Sequence, residues 1–216
     1  MKDILQDIVA HTHALGFLNI VKVNGDDAQT GIDSMAEDRS VILQANTKTA
    51  QVELKGTFGM PNLNKLDIHL KCPEYKDGAS IDVVSADRNG ATIPVGIHFE
   101  NATKDFKNDY RFMNAEIINE KLKTVKFKGA SWDVEVQPTM AAIQRFKLQA
   151  TANAEETVFT VMTDGGDLKF KFGDASTHAG EFVFQPGITG QLKNEWAWPV
   201  AQVLAILGLN GDKTMR

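Results

Sequence analysis

Cysteine is almost absent from this 216-residue chain. Cys72 stands alone, so no internal disulfide can form, and the stapled scaffolds of small secreted domains are excluded. A reducing compartment fits. Long apolar runs are missing too. The most hydrophobic stretch, residues 196–209, contains Pro199 and Gln202 and falls short of the ~20 residues a membrane span needs. At the start, Asp3, Gln6, Asp7 and His11 interrupt Ile4, Leu5, Ile8 and Val9, unlike the core of a signal peptide. Neither sign of charge dominates. With 23 Lys and Arg against 28 Asp and Glu, the net charge of −5 argues against a protein that coats nucleic acid with its whole surface. It leaves room for a locally basic face. Enzyme signatures are lacking as well: no Gly-rich phosphate loop ending in Lys-Ser or Lys-Thr, no Gly-x-Ser-x-Gly and no Cys-x-x-Cys. The chain reads as a non-enzymatic protein without cofactor or metal.

What is present is an ordinary globular composition, 43% hydrophobic and 24% charged, long enough for one large or two modest domains. Ile4, Leu5, Ile8, Val9, Thr12 and Leu15 recur at helical spacing and Gly16 is a stop, which predicts a helix over 2–15. From Phe17 the period shortens. Strands are expected at 18–23, 30–35, 39–45 and 51–57, with Asn24-Gly25 as a turn. Pro61 is placed at the first position of a second helix, 61–71, in which Leu63, Leu66 and Leu70 share a face. Strands at 80–84, 92–99 and 110–113 follow, the first two joined through Asn89-Gly90.

The second half repeats this order. Met140, Ile143, Phe146 and Ala150 recur at helical spacing and predict a helix over 139–153; strands are expected at 157–162, 168–172 and 181–184, with Asp164-Gly165-Gly166-Asp167 as a hairpin turn. Trp198-Pro199 then opens a helix ending near Gly208. Pro61 and Pro199 lie 138 residues apart, and the same offset separates Ile20-Val21 from Val158-Phe159. Two unrelated landmarks therefore point to one internal duplication. The reading is α+β: a first domain at 1–113, a connector at 114–137 and a second domain at 138–216. Because the first copy ends near Met113, the second would end near residue 251, so the final strands are expected to be missing, with 209–216 a turn entering a strand that is cut short.

Charge is not shared evenly. The four expected helices carry a small positive excess, while the rest of the chain holds all of the acidic excess. Residues 139–154 include Gln144, Arg145, Lys147 and Gln149 and no carboxylate. That is the best local case for phosphate contact. A few lysines on a solvated helix face would be the plainer reading of any one helix.

Three stretches go beyond composition: Gly56-Thr-Phe-Gly-Met-Pro-Asn-Leu-Asn-Lys-Leu66, Asp105-Phe-Lys-Asn-Asp-Tyr-Arg-Phe-Met113, and Trp196-Ala-Trp-Pro-Val-Ala-Gln-Val-Leu-Ala-Ile-Leu-Gly-Leu-Asn-Gly-Asp-Lys-Thr-Met215. They resemble the DNA polymerase sliding clamps of T-even-like marine bacteriophages, over most of the chain. The resemblance implies the DNA-clamp fold, with two helices packed on antiparallel sheets in each of two similar domains, the second incomplete. It implies a homotrimeric ring around duplex DNA, gripping it without regard to sequence. The ring would tether the replicative polymerase, be opened by an ATP-dependent clamp loader, and work in the host cytoplasm at replication forks. Carried over by position, Lys65, Lys71, Arg145 and Lys147 would face the DNA, with Lys2 and Lys193 as further candidates. A chain lacking the last strands would be expected to remain monomeric.

Other constellations read plainly. His11 and His13 face different ways on a helix, which argues against a shared metal. Asn101-Ala102-Thr103 is a glycosylation sequon in form only. Lys121, Lys123, Lys126 and Lys128 alternate with apolar residues as on a solvated strand face, the alternative being a contact with DNA or loader. Trp196 and Trp198 are expected to divide between core and rim. As an aromatic platform they would instead suit a β-rich binding module, such as a virion, carbohydrate-binding or single-strand-binding protein, which is the runner-up function.

Overall fold

The duplication inferred from two landmarks reappears as two sheets with matching strand order. The computed structural model describes residues 1–88, 90–123, 125–176, 178–209 and 213–216, and the chain divides into two units, Met1–Lys126 and Phe127–Arg216. In the first, α1 (Lys2–His11) leads through a short 3-10 turn to β1 (Val21–Gly25), β2 (Thr30–Met35), β3 (Ile42–Asn46) and β4 (Gly56–Met60), an antiparallel sheet in the order β3-β2-β1-β4. Helix α2 (Leu63–Lys71) follows. Strands β5 (Ser80–Arg88), β6 (Ala91–Glu100) and β7 (Lys107–Arg111) make a three-stranded sheet, and α3 (Ala115–Lys121) closes the unit.

In the second unit α4 (Met140–Ala152) precedes β8 (Val158–Asp164), β9 (Asp167–Phe172), β10 (Gly180–Gln185) and β11 (Trp196–Pro199), ordered β10-β9-β8-β11, and α5 (Val200–Gly208) follows β11. The match extends to individual pairs. Val21 opposes Met60 and Val23 opposes Phe58; 138 residues on, Phe159 opposes Trp198 and Val161 opposes Trp196. Among the described residues the second unit has no counterpart of the β5-β6-β7 sheet.

Each unit has its own core. In the first, Leu5, Ile8 and Val9 of α1 and Leu63, Leu66 and Leu70 of α2 pack on Val21, Val23, Phe58 and Met60, with Ile97, Phe99 and Tyr110 from the three-stranded sheet. In the second, Phe146 of α4 lies among Phe159, Phe170, Phe172 and Phe182.

Several boundaries differ from expectation for local reasons. Asn24-Gly25 is not a turn but the end of β1. A Cβ on Gly25 would lie 2.1 Å from the Leu54 carbonyl oxygen, so glycine serves close approach there. The turn falls at 26–29, where Asp26 Oδ1 accepts the Ala28 and Gln29 amides at 2.8 Å, and these bonds hold the Asp26 carboxyl below its usual range. The expected strand at 51–57 is a 3-10 turn, Val52–Leu54, that buries Leu54, and β4 starts only at Gly56. Pro61 precedes the α2 N-cap, Asn62, instead of opening the helix. Helix α3, unforeseen, starts where the Asn114 side chain accepts the Ile117 amide at 2.9 Å.

The segment after α3, expected as a lysine-studded strand, forms no strand among its described residues. Trp196 and Trp198 do not divide between core and rim. They lie two apart on one strand, point to one face, and are about half exposed. The 164–167 hairpin is as expected, with φ of 60° and 84° at Gly165 and Gly166. Asn89 and residues 210–212, part of the expected Asn89-Gly90 turn and of the expected final turn, lie outside the described residues. Asn101 of the sequon is buried, and its side-chain amide donates to Glu74, Thr103 and Asp105. No helix among the described residues is long and apolar enough to cross a membrane.

Candidate nucleic-acid interface

The six candidate cations occupy different electrostatic situations. Helix α2 is amphipathic because Leu63, Leu66 and Leu70 recur on one face, which turns Lys65 and Lys71 outward. Lys71 Nζ lies 2.6 Å from Asp67 Oδ2, one turn back, so this charge is neutralised locally. Lys65 has no carboxylate partner among the described residues. It stands beside an open cavity of about 310 Å³ lined also by Pro61, Asn62, Asp109, Tyr110, Arg111 and Phe112. Arg111 therefore joins Lys65 at that cavity, a partner that spacing along the chain does not reveal. Asp109 is 4.0 Å from Arg111 and also holds His98, Nδ1 to Oδ1 at 2.8 Å. On α1, Lys2 is half-buried and its ammonium donates to the Tyr75 carbonyl at 2.6 Å, an anchoring role. The rest of α1's exposed face holds Asp3 and Asp7.

In the second unit Thr139 caps α4, its Oγ1 accepting the Ala142 amide at 3.1 Å. Ala142, Ile143 and Phe146 turn inward, leaving Gln144, Arg145, Lys147 and Leu148 exposed. Arg145 donates to the Val183 carbonyl at 3.2 Å, and its guanidinium carbon sits 5.4 Å from the centre of the Phe182 ring. The side chain remains exposed, but its guanidinium is tied to β10. Lys147 has no carboxylate partner among the described residues and lies on a helix that carries none. Lys193 is on no helix; it precedes β11 and lies 3.5 Å from Asp133. Lys65 and Lys147 are thus the cations most available to phosphate, followed by Arg145.

A second feature of the first unit escaped sequence reasoning altogether. A narrow cleft is lined by Asp33, Ser34 and Met35 of β2, Ile42, Leu43 and Gln44 of β3, and Leu122, Lys123 and Val125. Gln44 Nε2 donates to the Val125 carbonyl at 2.7 Å and pins that segment beside β3. Ile42 and Val125 stay exposed at the rim. No single residue type marks such a cleft, because ordinary apolar side chains make it.

One turn beyond Lys65, His69 is buried against Phe99, ring centroids 5.1 Å apart, and its Nε2 has no hydrogen-bond partner among the described residues. Burial, and secondarily the nearby Lys65 charge, lowers its pKa below the ordinary 6.5. Folding therefore keeps His69 neutral. Its contribution is complete above about pH 6.5 and declines as the pH falls below that value, where the unfolded chain takes up a proton that the folded chain resists. Urea midpoints followed by far-UV circular dichroism are expected to drop between pH 7 and 5, and His69→Leu should flatten that dependence. An unchanged slope in the variant would show that other groups cause it.

No grouping of His, Cys, Asp and Glu that could hold a metal occurs among the described residues, and His11 bonds instead to Asp7, Nδ1 to the backbone oxygen at 2.9 Å. A comparison with protein-family models finds no match, and no curated protein matches the sequence. Among solved structures, the chain is similar to PCNA from Thermococcus kodakaraensis, with a TM-score of 0.63, 14% sequence identity, and coverage of 98% of this chain and 84% of that one. At that identity the likeness establishes the fold: an α+β, PCNA-like clamp fold.

Proposed function

We propose that this chain is a DNA polymerase sliding clamp of the kind found in T-even-like marine bacteriophages. Three chains would close into a ring around duplex DNA, tether the replicative polymerase, and be opened and closed by an ATP-dependent clamp loader at replication forks in the host cytoplasm. The clamp makes and breaks no bonds and needs no cofactor. Its work is topological, helped by weak phosphate contacts that exchange fast enough to permit sliding. Residues 1–113 and 138–216 are its two repeats and 114–137 the connector.

The observation that carries this reading is a clamp fold in which each of two repeats presents an outward lysine, Lys65 on α2 and Lys147 on α4, with no carboxylate partner among the described residues. Sequence-independent binding needs such unspent cations and no base-reading side chains. The cleft that β2 and β3 form with Leu122, Lys123 and Val125 supports the tethering half of the proposal. It offers an apolar rim, Ile42 and Val125, to an extended segment of polymerase or loader.

The test is topological. Loaded on a nicked circular plasmid by its loader and ATP, the protein is expected to stay with the DNA through gel filtration. It should be released once the circle is linearised. Equal retention on circular and linear DNA would overturn encirclement.

A further inference from the structure

From the end of α3 onward, four lysines stand without counter-charge. Residues 121–132 hold Lys121, Lys123, Lys126 and Lys128 and no carboxylate. All four side chains are exposed, and none has an ion-pair partner among the described residues. The first acid that follows, Asp133, is already matched, with Lys193 Nζ 3.5 Å from its Oδ1. On a solvated strand face such a run would mean little, but no strand forms here among the described residues.

Two large rings stand in the same stretch. Phe127 and Trp132 are 66% and 47% exposed, and they meet each other with centroids 6.0 Å apart and planes 22° from parallel. Gly129, with a φ of 85°, lets the chain turn between them. Beyond the pair the backbone is fixed. Val134 bridges to Gly190 and Val136 to Met215, and both valines are buried in the second core, so Trp132 is held close to an anchored segment. Neither ring belongs to the two cavities described above. Flat rings standing clear of a groove suit a planar partner that stacks on them, whereas an inserted side chain needs a concave pocket.

We propose that Phe127, Lys128 and Trp132 form a stacking platform for single-stranded nucleic acid, with unpaired bases on the rings and phosphates met by Lys128 and by the lysines that precede Phe127 in the chain. Stacking tolerates any base, because every base has a π-face, but it requires that the face be free. A duplex keeps its bases covered. The platform therefore differs in kind from Lys65 and Lys147, whose charges can serve the phosphates of paired strands. An acidic polypeptide would answer the lysines but bring no planar faces to the rings. The inference goes beyond the proposed function and does not rest on it, since the platform needs neither a ring nor a loader.

The test uses the 216-residue chain with Trp196→Phe and Trp198→Phe, so that Trp132 alone reports. Its emission is expected to be quenched, saturably, by an oligo-dT of about 12 nucleotides, within the usual site size, and at least about tenfold more weakly by a blunt duplex of the same length. Anisotropy of the labelled oligonucleotide with the unsubstituted chain gives the same affinity without the two replacements. Phe127→Ala should weaken binding about tenfold and leave the urea midpoint nearly unchanged, because the ring is exposed, while Phe127→Tyr should preserve binding. Lys128→Gln should flatten the log–log salt dependence by about 0.7. Emission unmoved by oligo-dT would overturn the proposal, as would equal quenching by the duplex. Equal quenching by poly-glutamate would overturn it in favour of an acidic polypeptide. Full affinity in Phe127→Ala would overturn stacking and leave charge alone.

Discussion

Replacing Phe146 with alanine is expected to destabilise the second unit by about 3–5 kcal/mol, enough to unfold much of it at room temperature. The ring is fully buried, with Phe159 at 4.7 Å, Phe170 at 5.2 Å and Phe172 at 6.0 Å between centroids, in tilted and edge-on arrangements that add to simple burial. Paired strands β8 and β9 supply these neighbours, so they cannot collapse into the space left behind. Probes separate the units by chance of composition. All three tryptophans, 132, 196 and 198, belong to the second unit and both tyrosines, 75 and 110, to the first. Urea unfolding read by tryptophan emission should move to markedly lower midpoint in Phe146→Ala. Phe146→Leu, which keeps most of the volume, should cost under about 1.5 kcal/mol. If alanine cost no more than leucine, the phenylalanine cluster would not be the organising core of this unit.

The repeated strand order was legible because duplication is a global signal: an offset of 138 survives in strand pairing even where side chains have diverged, as Met60 and Trp198 have. Long periodic helices were equally legible, α4 to within about a residue at either end. What failed were features decided by neighbours distant in sequence. Gly25 looks like a turn residue until the Leu54 carbonyl lies against it, and β1 continues through it. Helix α3 has only seven residues and buries one of them, Ile118, so it has too little periodicity to detect. The two tryptophans differ from expectation because a helix is expected to open at Trp198, whereas β11 runs on through Pro199 and gives both rings the same face.

The candidate site divides along the same line. Which residues are cations on helices can be read from spacing; which of them remain unspent cannot. Lys2, Lys71 and Lys193 look no different from Lys65 and Lys147 in the sequence. They are set apart by a carbonyl on Tyr75, a carboxylate on Asp67 and another on Asp133. Arg111 and the β3 cleft were invisible because strands and connecting segments far apart in the chain build them.

Charge reversal at Lys65 and Lys147 together is expected to weaken association with duplex DNA by roughly a hundredfold or more at low salt, and to flatten its salt dependence by about one unit of log–log slope for each phosphate that is no longer neutralised. In a three-chain ring the double change alters six side chains, which is why the effect should exceed that of any single surface lysine. Stability should hardly move, within about 0.5 kcal/mol, since both residues are exposed and neither has a carboxylate partner among the described residues. Lys55→Glu is the control: Lys55 lies on no helix, and its ammonium is 2.7 Å from Asp27, so its loss should leave DNA association nearly intact. Loader-dependent processivity measured across roughly 50–200 mM salt distinguishes the outcomes. A double variant as processive as the parent at every salt concentration would remove α2 and α4 from the DNA-facing surface. A Lys55 variant equally impaired would mean that net charge, not the helix lysines, sets the affinity.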